Sequence, residues 1–356
     1  MSSKLISDKI TIQSMTTTKT DDVKSTVAQI KRLEALGCDI IRVAVPDIPS
    51  ANAITKIKEQ IDIPLVADIH FNYKLAIRAV EAGADKIRIN PGNIGSSDGV
   101  KAIADVCNKK DVPIRIGVNS GSLSAPILEK YNGVTPEAMI ESVMENVKLL
   151  NKYDFDNIWI SAKGSNVPLT VKTYRLLHER TKYPLHIGIT EAGTEYAGII
   201  KSAIGIGSLL MDGIGNTIRV SLTEQPEREI DAAVTILKSI GLRPGIDIIS
   251  CPTCGRCNID VIELTKMLES KVDNVLMSKL RIKNPHHRPP FLYHNLTIAV
   301  MGCAVNGPGE AKLADYGIAG GHGEGIIFAN GEIIKKAPMN KLISELLAVI
   351  EAGANN

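Results

Sequence analysis

Eight short runs rich in β-branched residues recur through the first two-thirds of the chain, each followed by a stretch with helical spacing of apolar residues. The runs are Ile10–Met15, Ile40–Val45, Leu65–Ile69, Lys86–Ile89, Ile114–Val118, Ile158–Ala162, Leu185–Ile189 and Thr217–Ser221. Between the first two, Val27, Ile30, Leu33 and Leu36 fall on one helical stripe that stops at Gly37, a residue suited to the position just past a helix C-terminus. Strands alternating with helices imply right-handed βαβ crossovers and a parallel sheet. Eight units in roughly 240 residues is the size of a TIM barrel, whereas an open doubly wound sheet would need no eighth unit. The expectation is therefore an N-terminal TIM (β/α)8 barrel over residues 1–243, followed by a smaller α+β domain over 244–356.

Polar residues gather toward one end of these strands. Arg42 lies near the end of the second, Asp68 and His70 follow the third, and Arg88 and Asn90 the fourth. Arg115 and Asn119 belong to the fifth, Lys163 to the sixth, Thr190 and Glu191 to the seventh, and Arg219 and Ser221 to the eighth. Parallel strands buried on both faces normally read as apolar runs, and a buried arginine is costly unless paired. Cations on five separate strands, aimed at the C-terminal mouth where barrel enzymes place their sites, make an anion trap. Arginine's planar fork matches phosphate oxygens, so the expected ligand is a small phosphorylated molecule, with more than one phosphate. The bland alternative is that each cation meets a carboxylate from a neighbouring loop. No Walker loop is present, and Gly205-Ile206-Gly207 falls in a helical pattern, so no nucleotide site is assigned.

Composition narrows the class. A net charge of +2 gives no global field that would call for nucleic acid or membrane. Residues 1–9 lack the apolar core of a signal peptide, and no apolar run approaches the length of a membrane span. Six cysteines in 356 residues do not make a disulfide framework. These features point to a cytoplasmic enzyme. Cys38 and Cys107 stand near helix ends and read as packing residues.

The other four cysteines lie beyond the glycine- and proline-rich stretch 241–245, the expected linker. Strands are expected at Ile246–Ser250 and Leu296–Met301, helices at Ile259–Leu268 and Leu342–Ile350, a loop at 284–291, and a hairpin at Ile326–Lys335 turning on Asn330-Gly331. Cys251-Pro252-Thr253-Cys254-Gly255-Arg256-Cys257 puts three thiols on one turn, and Cys303 stands alone in Gly302-Cys303-Ala304. Zinc ribbons usually carry two paired knuckles, and the second is missing here, although His286 and His287 are available. Spacing thus favours an iron–sulfur centre over zinc, and taken alone it would choose Cys251, Cys254, Cys257 and Cys303.

Several longer motifs resemble one family. Gln13-Ser14-Met15-Thr16, Arg42-Val43-Ala44-Val45-Pro46, Ala67-Asp68-Ile69-His70-Phe71, Arg88-Ile89-Asn90-Pro91-Gly92-Asn93-Ile94-Gly95, Arg115-Ile116-Gly117-Val118-Asn119, Gly188-Ile189-Thr190-Glu191-Ala192-Gly193, the Cys251–Cys254 turn and Asn306-Gly307-Pro308-Gly309-Glu310 are similar, in the same order, to the 4-hydroxy-3-methylbut-2-enyl diphosphate synthases of the methylerythritol phosphate route to isoprenoids. The likeness is to the two-domain bacterial type. It implies a barrel that binds 2-C-methyl-D-erythritol 2,4-cyclodiphosphate and opens its ring with two electrons. It also implies a [4Fe–4S] cluster held by Cys251, Cys254, Cys303 and Glu310, with Cys257 a neighbour rather than a ligand. Glu191 is then the expected proton donor, as a buried general acid, and a salt bridge to Arg219 or Lys163 is its alternative role. Ferredoxin or flavodoxin would supply electrons, and the chain would work as a homodimer in which one cluster domain caps the other subunit's barrel. Two other readings fit parts of the sequence: a non-redox barrel enzyme, such as a pterin-binding synthase, with a structural zinc domain, and an electron-transfer module with no substrate of its own.

Overall fold

The computed structural model describes residues 9–90, 92, 94, 97–279, 296–303, 311–321 and 323–354. They form two compact units that divide between Ile236 and Leu237.

In the first unit the strands are β1 (Thr11–Met15), β2 (Ile40–Ala44), β3 (Leu65–Asp68), β4 (Lys86–Ile89), β5 (Ile114–Asn119), β6 (Ile158–Lys163), β7 (His186–Ile187) and β8 (Thr217–Ile218). They pair in parallel in the order β6-β5-β4-β3-β2-β1-β8-β7, and a parallel bridge between Ile160 and Leu185 joins the two ends. This is the expected eight-stranded barrel. The connecting helices start where the sequence supplies caps. In α1 (Val23–Ala35), Asp22 accepts from the Ser25 amide at 3.1 Å, and the helix runs out at Gly37, whose φ of 105° suits a residue without Cβ.

Register decides what each strand buries. Met15 pairs with Arg42, Arg42 with Val66, Asp68 with Arg88, Arg88 with Arg115, Arg115 with Trp159, and Asn119 with Lys163. Residues paired across adjacent strands share a face, so this set lines the barrel's interior. The alternate residues, including Ile41, Ile87, Ile116 and Ile160, are fully buried on the outward face, under the helices. Each such side chain contributes about 1.5–3 kcal/mol by leaving water. The helix-facing layer therefore carries the hydrophobic stabilisation and leaves the interior open to polar residues. Inside, Ile40, Val66 and Trp159 make only a small apolar cluster, and Thr11 and Thr217 hydrogen-bond at 2.7 Å.

The second unit has a five-stranded sheet in the order β13-β12-β11-β10-β9, built from β9 (Ile246–Ser250), β10 (Leu296–Met301), β11 (Tyr316–Gly320), β12 (Glu324–Ala329) and β13 (Glu332–Pro338). The first three run parallel, and the last two form the expected hairpin. Its turn residues Asn330 and Gly331 both take positive φ, 50° and 80°, as a two-residue type I′ turn requires. Helices α10 (Val261–Lys279) and α11 (Leu342–Ala354) pack on the sheet through Leu264, Leu268, Leu346 and Ile350. Two elements differ from expectation. The α10 helix runs well past Leu268, because Val272 continues the stripe of Leu264 and Leu268. The β11 strand has no counterpart among the expected elements, since Gly317 and Gly320 weaken its strand signal. Gly317 is needed there: a Cβ would collide with Phe328. The expected loop 284–291, with His286 and His287, lies outside the described residues, as does Glu310.

Candidate active site

The barrel's inner face holds six cations from five strands: Arg42, Lys86 and Arg88 (both on β4), Arg115, Lys163 and Arg219, just past β8. Counter-charges are fewer. Asp68 serves two of them, with Arg88 at 3.2 Å and Arg42 at 3.8 Å. Burial alone would raise the Asp68 carboxyl. Arg42, a hydrogen bond with His70, and Arg88 together outweigh burial and hold it far below the usual carboxylate range. Arg219 faces Glu229 at 3.8 Å. Arg42 also donates to the Met15 thioether at 3.1 and 2.8 Å, a weak acceptor for a charged donor.

Arg115 and Lys163 have no carboxylate in salt-bridge range among the described residues. Arg115 is 2% exposed, and its Nη1 donates to Gln13 Oε1 at 2.8 Å and to His186 Nδ1 at 3.0 Å. Burial lowers both groups well below their ordinary values, helped for Lys163 by Arg115, Arg219 and Arg42, and for Arg115 by Arg42 and Arg88. Burial pushes Arg42 down to about 10 against the pull of Asp68. A layer deeper, the Lys86 ammonium sits 3.4 Å from the centre of the Trp159 ring, a cation–π contact, and is lowered by burial and by Arg115. Positive charge is thus packed more densely than the protein neutralises it, and a bound polyanion would supply what is missing.

The remaining expected residues stand at or near the mouth. His70 is exposed and lies 3.1 Å from Arg88 and 3.6 Å from Asp68. Asn90 accepts from the Gly92 amide at 3.3 Å, Asn119 starts a short 3-10 turn over Ser120–Ser122, and Ser221 is half-buried just beyond β8. The Thr190 amide donates to Gly164 O at 3.2 Å. Glu191 corrects the expectation. It is exposed, with φ of 52°, so the burial invoked for it as an acid is absent, and Arg219's carboxylate partner is Glu229. The left-handed backbone is costly for a glutamate, which marks a side chain held in an enforced direction.

Lys86, His186 and Glu229 have no role in the sequence reading, and Gln13 enters it only as part of the Gln13–Thr16 motif, without a role. A signal existed for three of them. Lys86-Ile87-Arg88 and Gln13-Ser14-Met15 carry the period of two, so residues two before a mouth residue share its face, and His186 stands two before Gly188. Glu229 comes from helix α9 (Pro226–Ser239) and accepts from the Leu222 amide at 3.0 Å, which no strand pattern could reveal. Its Oε2 has no hydrogen-bond partner among the described residues, and burial raises its carboxyl against Arg219.

In the second unit the cysteine turn follows β9, and Cys303 follows β10, its parallel neighbour. Cys251, Cys254, Cys257 and Cys303 line one cavity of about 190 Å3 together with Pro252, Arg256 and Gly302. None is in a disulfide. The Gly302 amide donates to Cys251 Sγ at 3.1 Å. Cys257 Sγ instead donates to Ile259 O at 3.1 Å and sits where a Cβ on Gly302 would collide with it. Among the described residues, no three His, Cys, Asp or Glu side chains converge closely enough to hold one metal ion. The donor set is soft and surrounds a volume instead of a point, which suits a polynuclear sulfur-bridged centre better than a single ion.

Family comparison agrees with this two-unit layout. A family model described as the GcpE TIM-barrel domain matches residues 6–234, and one described as the GcpE protein C-terminal domain matches residues 247–352. The chain belongs to the GcpE family. Among GcpE relatives, a protein of Caldicellulosiruptor saccharolyticus named 4-hydroxy-3-methylbut-2-en-1-yl diphosphate synthase (flavodoxin) is 54% identical over 96% of this chain and 94% of its own length. Relatives of the same name from Clostridium perfringens and Caldanaerobacter subterraneus are 53% and 55% identical, again over 96% of this chain and over 94% and 92% of their own. Among solved structures, dihydropteroate synthase of Yersinia pestis aligns over 65% of this chain and 94% of its own, at 10% identity and a TM-score of 0.46. No helix among the described residues of this GcpE chain is long and apolar enough to cross a membrane.

Proposed function

We infer that the chain is an iron–sulfur oxidoreductase that converts 2-C-methyl-D-erythritol 2,4-cyclodiphosphate to 4-hydroxy-3-methylbut-2-enyl diphosphate, a step of isoprenoid precursor biosynthesis. The near-full-length GcpE relationship supplies the reaction class. The observation in the molecule that carries it is the barrel interior, where six cations from five strands face two carboxylates among the described residues. A cyclic diphosphate offers that interior two linked phosphates at the scale of a single barrel mouth.

The reaction takes two electrons and one proton, and leaves the released diphosphate oxygen with the extra negative charge. The bond from carbon to a diphosphate oxygen breaks, and a hydroxyl leaves as water. Arg88, Arg115, Lys163, Arg42 and Arg219 hold the diphosphate, whose charge replaces the water lost from each buried cation. Asp68 keeps Arg42 and Arg88 in place, and His70 lies within reach of the same anion through Arg88. Asn90, Asn119, Thr190 and Ser221 offer hydroxyl and amide partners at the rim. Glu191 is the proton donor to the departing hydroxyl. Substrate filling the mouth would supply the exclusion of water that the exposed side chain lacks without it.

The cysteine cavity would hold a [4Fe–4S] cluster through Cys251, Cys254 and Cys303, with Glu310 as fourth ligand as the family resemblance implies. When bound, that cluster supplies the two electrons and a Lewis-acidic iron, and a carboxylate is the ligand most readily given up by iron that prefers sulfur. Flavodoxin, which the relatives' names include, is the proposed donor, with ferredoxin as the alternative. A cytoplasmic homodimer is the proposed working form.

Isolation without oxygen tests this reading. A brown protein containing iron and sulfide, which forms the linear diphosphate from the cyclodiphosphate with reduced flavodoxin, is the expected result. Colourless protein holding zinc, or brown protein that binds no cyclodiphosphate, would overturn it.

A further inference from the structure

The inner cations are not held alike. Arg42 and Arg88 share Asp68, and Arg219 faces Glu229, so part of their charge is cancelled within the protein. Arg115 is held differently. Its two hydrogen bonds both leave from Nη1, to Gln13 Oε1 and His186 Nδ1, and both partners are fully buried. A guanidinium can only donate, so His186 Nδ1 accepts and carries no proton. Its burial favours the neutral imidazole first, and Lys163, Arg115, Lys86 and Arg42 act in the same direction. Gln13 is uncharged at any pH. The Arg115 Nε has no partner among the described residues.

We propose that Gln13 and His186 are positioning residues that pin the Arg115 guanidinium through uncharged acceptors, leaving its full positive charge and its remaining N–H donors for one phosphate of the substrate. A carboxylate at either position would satisfy the same donors and would relieve the buried cation more fully in the ligand-free protein. It would also compete with the phosphate for the charge. Uncharged acceptors fix direction without that competition, because they fill one side of the fork and leave the charge to be neutralised by the ligand alone. The two residues come from β1 and β7, on either side of β8, and reach Arg115 on β5 across the barrel lumen. The inference rests on reading the barrel as a phosphate site and names the device that sets its affinity.

The decisive variant is Gln13→Glu, which keeps the shape and the accepting oxygen and adds one negative charge beside Nη1. Full-length protein isolated without oxygen is titrated calorimetrically with inorganic pyrophosphate, and steady-state constants and ligand-free melting are measured alongside. Pyrophosphate affinity should fall about tenfold or more, the scale of one charged hydrogen bond. KM for the cyclodiphosphate should rise by a similar factor with kcat less affected, and the melting temperature should hold or increase. A merely structural role would shift melting and leave affinity alone. His186→Leu, which removes the second acceptor, should weaken pyrophosphate binding, and His186→Asn, which restores an oxygen near the Nδ1 position, should recover most of the loss. Wild-type affinity in Gln13→Glu overturns the inference while leaving the phosphate site standing. If that variant does not fold, equal affinities in the two His186 variants overturn it. A wild-type protein that binds no pyrophosphate overturns both the phosphate site and this inference.

Discussion

Gly117 sits on the inner face of β5, in register with Ser161, and the Arg88 guanidinium lies across it. A Cβ built at Gly117 would collide with Arg88 Nε and stand 2.9 Å from Nη2 and 3.0 Å from Cζ. Gly117→Ala must therefore displace the end of the Arg88 side chain, which now meets Asp68 at 3.2 Å and His70 at 3.1 Å. The obstacle is a flexible side-chain end and not backbone, so Arg88 can shift instead of forcing the strand apart. Its ion pair with Asp68 is largely buried, so the stability cost reaches up to about 3–5 kcal/mol if the pair is broken and less if the shifted guanidinium keeps it. Losing a charged hydrogen bond to a phosphate costs about 1.5–3 kcal/mol. At about 1.4 kcal/mol per tenfold, KM for the cyclodiphosphate should rise roughly 10- to 150-fold. Melting, steady-state kinetics and calorimetry with pyrophosphate on the same preparation separate the two effects. Unchanged KM and pyrophosphate affinity would refute the placement of Arg88 in the substrate site. A fall in melting temperature of many degrees, with affinity kept, would make Gly117 a packing residue.

Arg115→Ala should raise KM strongly while iron and sulfide content stay at wild-type levels, since the substitution lies in the barrel and the cysteines lie in the other unit. Cys254→Ser should lose the cluster and Cys257→Ser should keep it, because Cys257 Sγ is already committed to Ile259 O; iron and sulfide counts decide, and iron loss in the Cys257 variant would make that thiol a ligand. Cys38 and Cys107, whose thiols burial pushes up to about 12, should stay unlabelled by iodoacetamide at pH 8 in the folded protein, as read by mass spectrometry of the digest. Asp68, held below its unfolded value, contributes stability above a pH of about 4 that is lost as acid protonates it, so Asp68→Asn should flatten the decline in stability below pH 4 in acid titrations followed by circular dichroism.

The barrel was legible because its signals are local. A strand's period of two and a helix's stripe at three and four residues are written in consecutive positions, and eight repeats of the pair leave few topologies open. Arg88 and Lys163 could be placed toward the C-terminal ends of their strands for the same reason, and so could the three cysteines of the turn, which share one short loop; Arg115 departs from that expectation, since it is the second residue of β5 and lies deep in the barrel. What the chain's order could not supply was how distant positions meet. Arg115 touches Gln13, 102 residues earlier, and His186, 71 residues later, only because the sheet closes and turns three separate strands toward one lumen. The same closure makes Asp68 a shared counter-charge for Arg42 and Arg88, and brings Glu229 from a helix to Arg219. Glu191 shows the limit from the other side. Its motif marked a functional position, but whether a side chain at a strand's end is buried or exposed depends on the neighbouring loops, and these leave it in solvent. Local spacing determined the elements and which residue types could do the chemistry. Burial, pairing and the surplus of positive charge belong to the closed barrel, because each depends on what surrounds a group in space and not on its neighbours along the chain.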